Sequence, residues 1–206
     1  SDIRDNFIIG PGNPGDGGAI FNTDAGAIVI ADTSLLNNRA ARGGAIFAGV
    51  NGGTVAITGS TISFNTAASD GGGIYAGASL SVASSQFQAN HAVRGAGLFR
   101  DVDGGTISVT GSTFWVNIAT GEGGAIFVGG VNTLNVVNST ISQNIASNLG
   151  AGIFAGAAAS VFIDNSTIAF NRAGTTGGGV WNEGATRVRS TIVARNTIRS
   201  EERRVG

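Results

Sequence analysis

The clearest copy of a repeated unit lies at residues 123–144, which read GGAIFVGGVNTLNVVNSTISQN. It contains two phrases that return along the chain, Gly-Gly-Ala-Ile-Phe and Ser-Thr-Ile-x-x-Asn. Close or loose copies of the first phrase begin, at steps of 24 to 28 residues, at Gly17, Gly43, Gly71, Gly95, Gly123, Gly150 and Gly177. Self-similarity at such a period indicates a solenoid or a comparable repeat architecture.

A short alternating segment separates the two phrases and completes the repeat. At residues 133–137, Leu134 and Val136 alternate with polar Asn135, and this period of two is typical of a β-strand. Each repeat then contains three short strands separated by turns. A unit of about 27 residues cannot bury its apolar side alone, but a stack of such units can. We predict an all-β parallel β-helix of about seven coils, which is right-handed because parallel crossovers are.

Stacking places equivalent residues in columns about 4.8 Å apart, and one of these columns is asparagine. An amide side chain carries both donors and an acceptor, so each member can bond to the next and form a ladder. Asparagine also tolerates the left-handed backbone that a sharp corner needs. We predict a structural role for this column, whose members are Asn6, Asn38, Asn65, Asn90, Asn117, Asn144, Asn171 and Asn196.

Two neighbouring columns in the Gly-Gly phrase are apolar, one aliphatic and one aromatic. Ile126 and Phe127 represent them in the copy quoted above, and consecutive strand residues point to opposite faces. The residue after the aromatic is Arg100 in one repeat and Asn182 in another, and both look exposed. Strict alternation would then turn the aromatic column inward and expose the aliphatic column. The simpler expectation is that a local bend buries both.

The residue before each Gly-Gly pair forms a column that alternates in charge over five coils. Its members are Asp16, Arg42, Asp70, Arg94 and Glu122. This alternation predicts a ladder of ion pairs between neighbouring coils on an exposed turn. A substrate-binding strip is the alternative, but exposed ion pairs are common and weak, and we favour the structural interpretation.

A column in the Ser-Thr-Ile phrase is rich in threonine and should point outward. A regular rank of threonines is the surface that an ice-binding solenoid presents, and its members would be Thr61, Thr113, Thr140, Thr167 and Thr191. The companion rank is irregular, since it includes Trp115. Threonine is also a good strand residue, so stacked strands explain the rank without ice.

Composition narrows the functional classes. The 12 basic and 13 acidic residues give a net charge of −1, which offers no electrostatic argument for nucleic acid as a partner. The absence of cysteine excludes a disulfide scaffold, thiol catalysis and thiolate metal sites. The longest uncharged apolar stretch, residues 149–163, is too short and too glycine-rich to cross a bilayer. We predict no cofactor and no metal.

The alternation of Gly-Gly-Ala-Ile with Phe-x-x-Asn resembles the repeat of the chlamydial polymorphic outer-membrane proteins. The best matches are residues 17–20, 43–46 and 123–126 for the first motif, and 87–90 and 114–117 for the second. Isoleucine replaces phenylalanine at residues 141–144, a departure from the motif. The repeat is also similar to that of bacterial right-handed β-helix proteins of the pectate-lyase-like superfamily. The resemblance covers almost all of residues 1–198 and implies a secreted or cell-surface bacterial protein with adhesive roles.

The last eight residues depart from the repeat. Residues 199–206 read RSEERRVG and resemble the translation of a sequencing adapter that ends many metagenomic reading frames. We expect an artefact here, with a polar solenoid cap as the alternative. Residues 1–6 are already a copy of the Ser-Thr-Ile phrase, so we expect residues 1–198 to be one repeat domain that begins in mid-coil.

One patch collects most of the residues that could carry chemistry, namely Asp70, His91, Arg94, Asp101, Asp103 and Glu122. Asp70 and Glu122 would lie about 10 Å apart, slightly beyond the separation of the carboxylates in inverting glycosidases. The segment 101–105 faintly resembles a calcium loop but lacks further oxygen ligands. A solvated cluster of turn residues is the simpler interpretation, and we assign no catalytic residue.

These observations favour a non-enzymatic secreted or cell-surface scaffold, adhesin-like, that binds glycans or proteins along its lateral face. Two alternatives remain open. One is a carbohydrate-active enzyme, a polysaccharide lyase or glycoside hydrolase of the pectate-lyase-like type, that uses the patch around Asp70 and Glu122. The other is an ice-binding solenoid that uses the threonine rank.

Overall fold

A computed structural model describes residues 1–7 and 15–198, and every regular element in these ranges is a short β-strand. None of the described residues belongs to a helix long and apolar enough to cross a membrane. In chain order the strands are β1 (Asp2–Arg4), β2 (Ile20–Asn22), β3 (Ile28–Ala31), β4 (Ser34–Leu36), β5 (Arg39–Ala40), β6 (Ile46–Ala48), β7 (Val55–Thr58), β8 (Thr61–Ser63), β9 (Thr66–Ala67), β10 (Ile74–Ala76), β11 (Leu80–Ala83), β12 (Gln86–Gln88), β13 (His91–Ala92), β14 (Leu98–Arg100), β15 (Thr106–Thr110), β16 (Thr113–Trp115), β17 (Ile118–Ala119), β18 (Ile126–Val128), β19 (Thr133–Val137), β20 (Thr140–Ser142), β21 (Ile145–Ala146), β22 (Ile153–Ala155), β23 (Ser160–Asp164), β24 (Thr167–Ala169), β25 (Arg172–Ala173), β26 (Val180–Asn182), β27 (Ala185–Arg189), β28 (Ile192–Ala194) and β29 (Thr197–Ile198).

The strands form four parallel sheets, because each strand pairs with its equivalent in the neighbouring coil. Sheet I is eight-stranded, in the order β1-β4-β8-β12-β16-β20-β24-β28, and sheet II is β2-β6-β10-β14-β18-β22-β26. Sheet III is β3-β7-β11-β15-β19-β23-β27, and sheet IV is β5-β9-β13-β17-β21-β25-β29. The chain is therefore a parallel β-solenoid of about seven turns, and the predicted all-β repeat architecture is confirmed.

Each turn contains one strand more than the three that the sequence predicts. The additional strand has two residues and follows the ladder asparagine, as β17 does after Asn117. A two-residue strand is too short to show the alternation by which strands are recognised. These strands build sheet IV.

The interior is filled by apolar side chains from sheets I, II and III, which are mostly aliphatic but include the stacked rings of Phe87 and Phe114 in sheet I. Ile141, Ile126 and Leu134 come from these three sheets in one turn, and all three are fully buried in a single continuous core. Sheet IV contributes small side chains, such as Ala92 and Ala119, which form a separate cluster. The short strands of sheet IV therefore close the coil at a place with room only for alanine.

Left-handed backbone recurs at three corners of the turn. In one turn the corners are Gly123 (φ 65°), Asn138 (φ 50°) and Gln143 (φ 57°). A Cβ on Gly123 would lie 2.8 Å from the backbone oxygen of Ile126, so the first glycine of the Gly-Gly phrase is required sterically as well. The left-handed residue at the third corner is the one before the ladder asparagine, and the ladder asparagines do not themselves adopt the conformation that this residue type tolerates.

The asparagine column forms a continuous ladder. Asn117 donates from Nδ2 to Oδ1 of Asn144 at 2.9 Å, and from the same nitrogen to the carbonyl of Phe87 at 3.0 Å. Its backbone N–H also donates to Oδ1 of Asn144, at 2.9 Å. Equivalent amide-to-amide bonds join all consecutive members from Asn6 to Asn196. The predicted ladder is confirmed.

A second ladder, made of hydroxyl groups, was not predicted. The backbone N–H of Ser112 donates to Oγ of Ser139 at 3.1 Å, while Oγ of Ser112 donates to the carbonyl of Thr110 at 2.8 Å. The members are Thr33, Ser60, Ser85, Ser112, Ser139, Ser166 and Thr191.

Thr191 therefore does not extend the outward threonine rank. It accepts a hydrogen bond from the backbone N–H of Ser166 at 3.2 Å, and the residue in register with Thr167 is Ile192. The prediction for Thr191 is wrong because it aligns the last repeat one residue too early. Thr191 lies five residues before Asn196, as Ser166 lies five residues before Asn171, and this spacing places it in the hydroxyl ladder.

The segment from sheet III to the ladder has a constant length. In five successive turns the ladder asparagine comes ten residues after the first core residue of the sheet III strand: Val55 and Asn65, Leu80 and Asn90, Ile107 and Asn117, Leu134 and Asn144, Val161 and Asn171. The connections on either side of sheet II vary instead. Residues 49–54 join β6 to β7, whereas residues 77–79 are enough to join β10 to β11.

Candidate functional site

The outward side of sheet II carries a column of stacked aromatic rings. Neighbouring centroids are 4.6–5.5 Å apart along Phe21, Phe47, Tyr75, Phe99, Phe127 and Phe154. The aliphatic residue before each ring belongs to the core or packs against it, so the aliphatic column points inward and the aromatic column outward. This is the reverse of the orientation that strict alternation with an exposed Arg100 and Asn182 would give. Phe99 and Phe127 are nevertheless buried. The buried members of the aromatic column, which include Phe47, are covered by side chains from outside and not by a bend, whereas Phe21 is 56% exposed.

Two arginines cover the ring column. The guanidinium carbon of Arg94 lies 4.8 Å from the Phe99 centroid and 5.2 Å from that of Phe127. Arg42 repeats this arrangement at Phe47 and Tyr75, at 4.7 and 5.2 Å. A cation over an aromatic face is attracted by the ring quadrupole.

The same arginines hold carboxylates of the preceding coil. Arg94 donates to both carboxylate oxygens of Asp70, at 2.8 and 3.1 Å, and Arg42 does so to Asp16, at 3.0 and 2.6 Å. The hydrogen bond to Asp70 raises the pKa of Arg94 against the opposing effect of burial. No ion pair joins Glu122 to Arg94 within the described residues. The charged column thus contains two of the predicted ion pairs between neighbouring coils, but these pairs stay separate and do not form a ladder.

Two further acids of the predicted patch lie on the turn after β14. One oxygen of Asp101 is 3.9 Å from Arg94, and burial raises the pKa of Asp101 more than Arg94 lowers it. Asp103 accepts a hydrogen bond from the backbone N–H of Val131 at 2.7 Å. In the described ranges, no group of three or more His, Asp and Glu side chains is placed to hold a metal ion.

His91 stands apart from these acids. It lies on sheet IV with an exposed side chain, in register with Thr66 and Ile118. Among the described residues no hydrogen bond joins its imidazole to Asp70 or Arg94. The structure therefore brings together Asp70, Arg94 and Asp101, and it leaves His91 outside this group.

Arg100 is a buried guanidinium beside the same turn. Only 2% of the residue is exposed, so the expectation of an exposed side chain is wrong. Its Nε donates to Oδ1 of Asn132 at 2.9 Å, and Nη1 donates to the carbonyls of Ala76 and Ala78. Burial lowers its pKa. The signal was present in the sequence, because the same column holds Ala76 and Val128, which line the core.

Sheet I presents a second candidate site on its outward side. In β16, Thr113 and Trp115 point outward on either side of the buried Phe114. In-register pairing extends these two positions into two rows across seven strands. The first row is Ser34, Thr61, Gln86, Thr113, Thr140, Thr167 and Ile192. The second row is Leu36, Ser63, Gln88, Trp115, Ser142, Ala169 and Ala194. We call these two rows the lateral face.

Comparisons with known proteins do not identify the chain. No family model matches it. No curated protein and no solved structure matches it either. The geometry of the lateral face and of the Asp70–Arg94 group therefore carries the functional argument.

Residues 199–206, which the sequence suggests are an adapter translation or a polar cap, lie outside the described residues. The described solenoid runs to β29 with its repeat pattern intact. Asn196, next to this strand, accepts the last bond of the asparagine ladder, from Asn171 at 2.9 Å.

Proposed function

We propose that the chain is a non-enzymatic scaffold of the cell surface or the secreted space, which binds glycans along the lateral face. The observation that carries this proposal is the in-register pair of rows across seven strands of sheet I. Hydroxyl and amide side chains such as Thr140 and Gln88 both donate and accept hydrogen bonds, which suits a ligand rich in hydroxyl groups. A solenoid presents such groups over an extended surface.

The charged group on the other side of the coil supports a structural role better than a catalytic one. Both oxygens of the Asp70 carboxylate are engaged by Arg94, and the guanidinium is itself held over Phe99. A general base needs a free oxygen within reach of a substrate proton. Asp70 could act as a general base only if this ion pair opened.

The lateral face also suits a glycan better than ice. A rank that matches ice has to repeat one side chain, but Gln86 interrupts the threonines between Thr61 and Thr113. Trp115 interrupts the second row in the same way.

A glycan array tests the proposal. We expect binding by the unaltered protein, retention of binding in Ser108→Tyr, and loss of binding in Thr140→Tyr. Both positions are half-buried, but Ser108 lies on sheet III and Thr140 on sheet I. The two variants introduce the same ring, and only Thr140→Tyr places it on the lateral face. Binding that survives Thr140→Tyr would show that the glycan is held elsewhere.

A reducing-sugar assay on polyuronides separates binding from turnover. We expect no release of sugar ends. Turnover that Asp70→Ala abolishes and Asp16→Ala leaves intact, with both variants folded, would establish the enzyme instead. Thermal hysteresis that disappears in Thr140→Tyr would establish ice binding.

A further inference from the structure

Aromatic rings accompany the lateral face at regular intervals; Trp115 is half-buried, and Phe64 and Phe170 are exposed. Trp115 lies in its second row, and Phe64 and Phe170 follow directly on that row at the corner before the ladder. Phe64 is 53% exposed and Phe170 is 51% exposed, although phenylalanine is usually buried. Each of these rings is two coils from the next, which corresponds to about 10 Å at the spacing of parallel strands.

The lateral face has no charged side chain at any of its outward positions from β4 to β28. Charges lie at its two ends: Asp2 and Arg4 of β1 are in register with Ser34 and Leu36, and the guanidinium carbon of Arg195 lies 5.6 Å from the Phe170 centroid at the opposite end. An acidic polysaccharide carries a carboxylate on successive sugars and needs cations along its path. This face offers none along most of its length.

Polar side chains flank the central ring on both sides. Trp115 is in register with Gln88 of the preceding coil and with Ser142 of the following coil. Thr113, two residues before Trp115, lies between Gln86 and Thr140 in the same way. An aromatic platform beside amide and hydroxyl groups matches a sugar ring, which has apolar C–H faces and a polar edge.

We propose that the lateral face binds an extended, neutral, β-linked polysaccharide whose chain runs along the solenoid axis. Phe64, Trp115 and Phe170 each stack on one sugar face. Successive sugars of an extended β-1,4-linked chain are turned over, so the same face returns once per disaccharide, as the rings return once in two coils. This assignment of the ligand class rests on the proposed function.

Titration calorimetry with neutral and acidic hexasaccharides tests the assignment. The probes are cellohexaose, mannohexaose and hexagalacturonate, and the variants are Trp115→Ala and Phe64→Ser, with Trp181→Ala as the matched control. Trp181 lies on sheet II, away from the lateral face. We expect at least one neutral probe to bind, with little dependence on salt. Trp115→Ala should weaken binding by about tenfold or more, and Trp181→Ala should leave it unchanged.

The outcomes separate the two proposals. Tighter binding of hexagalacturonate, or neutral binding that neither Trp115→Ala nor Phe64→Ser weakens, would overturn the ligand class while glycan binding stands. An absence of binding to these probes and to every glycan of the array would overturn the proposed function. Phe64→Ser replaces an exposed ring, so it keeps the test valid if Trp115→Ala does not fold.

Discussion

Arg94 grips Asp70 across one coil of the solenoid, with Nε 2.8 Å from Oδ1 and Nη2 3.1 Å from Oδ2. The Asp70 side chain is only 9% exposed, whereas the Arg94 side chain is 36% exposed. The guanidinium also covers the rings of Phe99 and Phe127. One side chain thus ties the charged column to the aromatic column.

We expect Arg94→Ala to lower the free energy of unfolding by about 2 kcal/mol, between the values typical of exposed and buried ion pairs. The loss arises because a nearly buried carboxylate is left unpaired. Chemical denaturation measures it. Adding Asp70→Asn to Arg94→Ala should recover part of the loss, since the buried charge is then removed as well. A double variant that is less stable than Arg94→Ala would contradict this explanation.

Asp101 should make stability depend on pH. Its pKa is raised in the folded state, mainly by burial, so folding favours the protonated form. The ionised form costs stability at neutral pH. This cost falls as the pH decreases through the raised pKa, and it is absent below the ordinary pKa of the unfolded chain.

We therefore expect Asp101→Asn to raise the melting temperature at neutral pH and to have a smaller effect in acid. Asp24→Asn is the control, because Asp24 is exposed and forms no ion pair within the described ranges. Melting curves recorded from neutral to acidic pH test this. A lower melting temperature for Asp101→Asn at neutral pH would mean that attraction to Arg94 outweighs burial.

Asn117→Ala should interrupt the asparagine ladder at its centre. The side-chain and backbone N–H groups of Asn90 would lose their acceptor, at 3.0 and 3.1 Å in the structure. We expect a loss of about 1–3 kcal/mol, the cost of leaving buried polar groups unpaired. Asn135→Ala is the matched control, because its side chain makes no hydrogen bond within the described part of the chain. Equal melting temperatures for the two variants would refute a stabilising ladder.

Val116→Asn should stabilise the protein. Val116 is β-branched and has a φ of 48°, and the left-handed region costs L-residues about 1–2 kcal/mol, whereas asparagine tolerates it. We expect a gain of about 1 kcal/mol in the free energy of unfolding. Val131→Asn, at an exposed position without a positive φ, should change it by less than about 0.5 kcal/mol. If Val116→Asn is destabilising, its packing matters more than its backbone strain.

The sequence was enough to predict the repeat, the alternating core residues of sheet III and the asparagine ladder, because each depends on periodic spacing. It failed where periodicity carries too little information. Ile118 and Ala119 form a strand too short to alternate, and the cover over Phe99 comes from Arg94, which is on another column. For Arg100, the residue type suggested exposure, but its neighbours in register indicated burial.

The constant ten-residue segment between sheet III and the ladder makes the geometry of sheet I independent of the variable connections elsewhere in the turn. Sheet I lies within this segment, so insertions and deletions near residues 49–54 or 77–79 leave the spacing of its rows unchanged. The outline of the solenoid can therefore change at the connections of sheet II while the spacing of the side chains on sheet I stays the same. Whatever the length of these connections, sheet I keeps the regular spacing that the proposed polysaccharide would require.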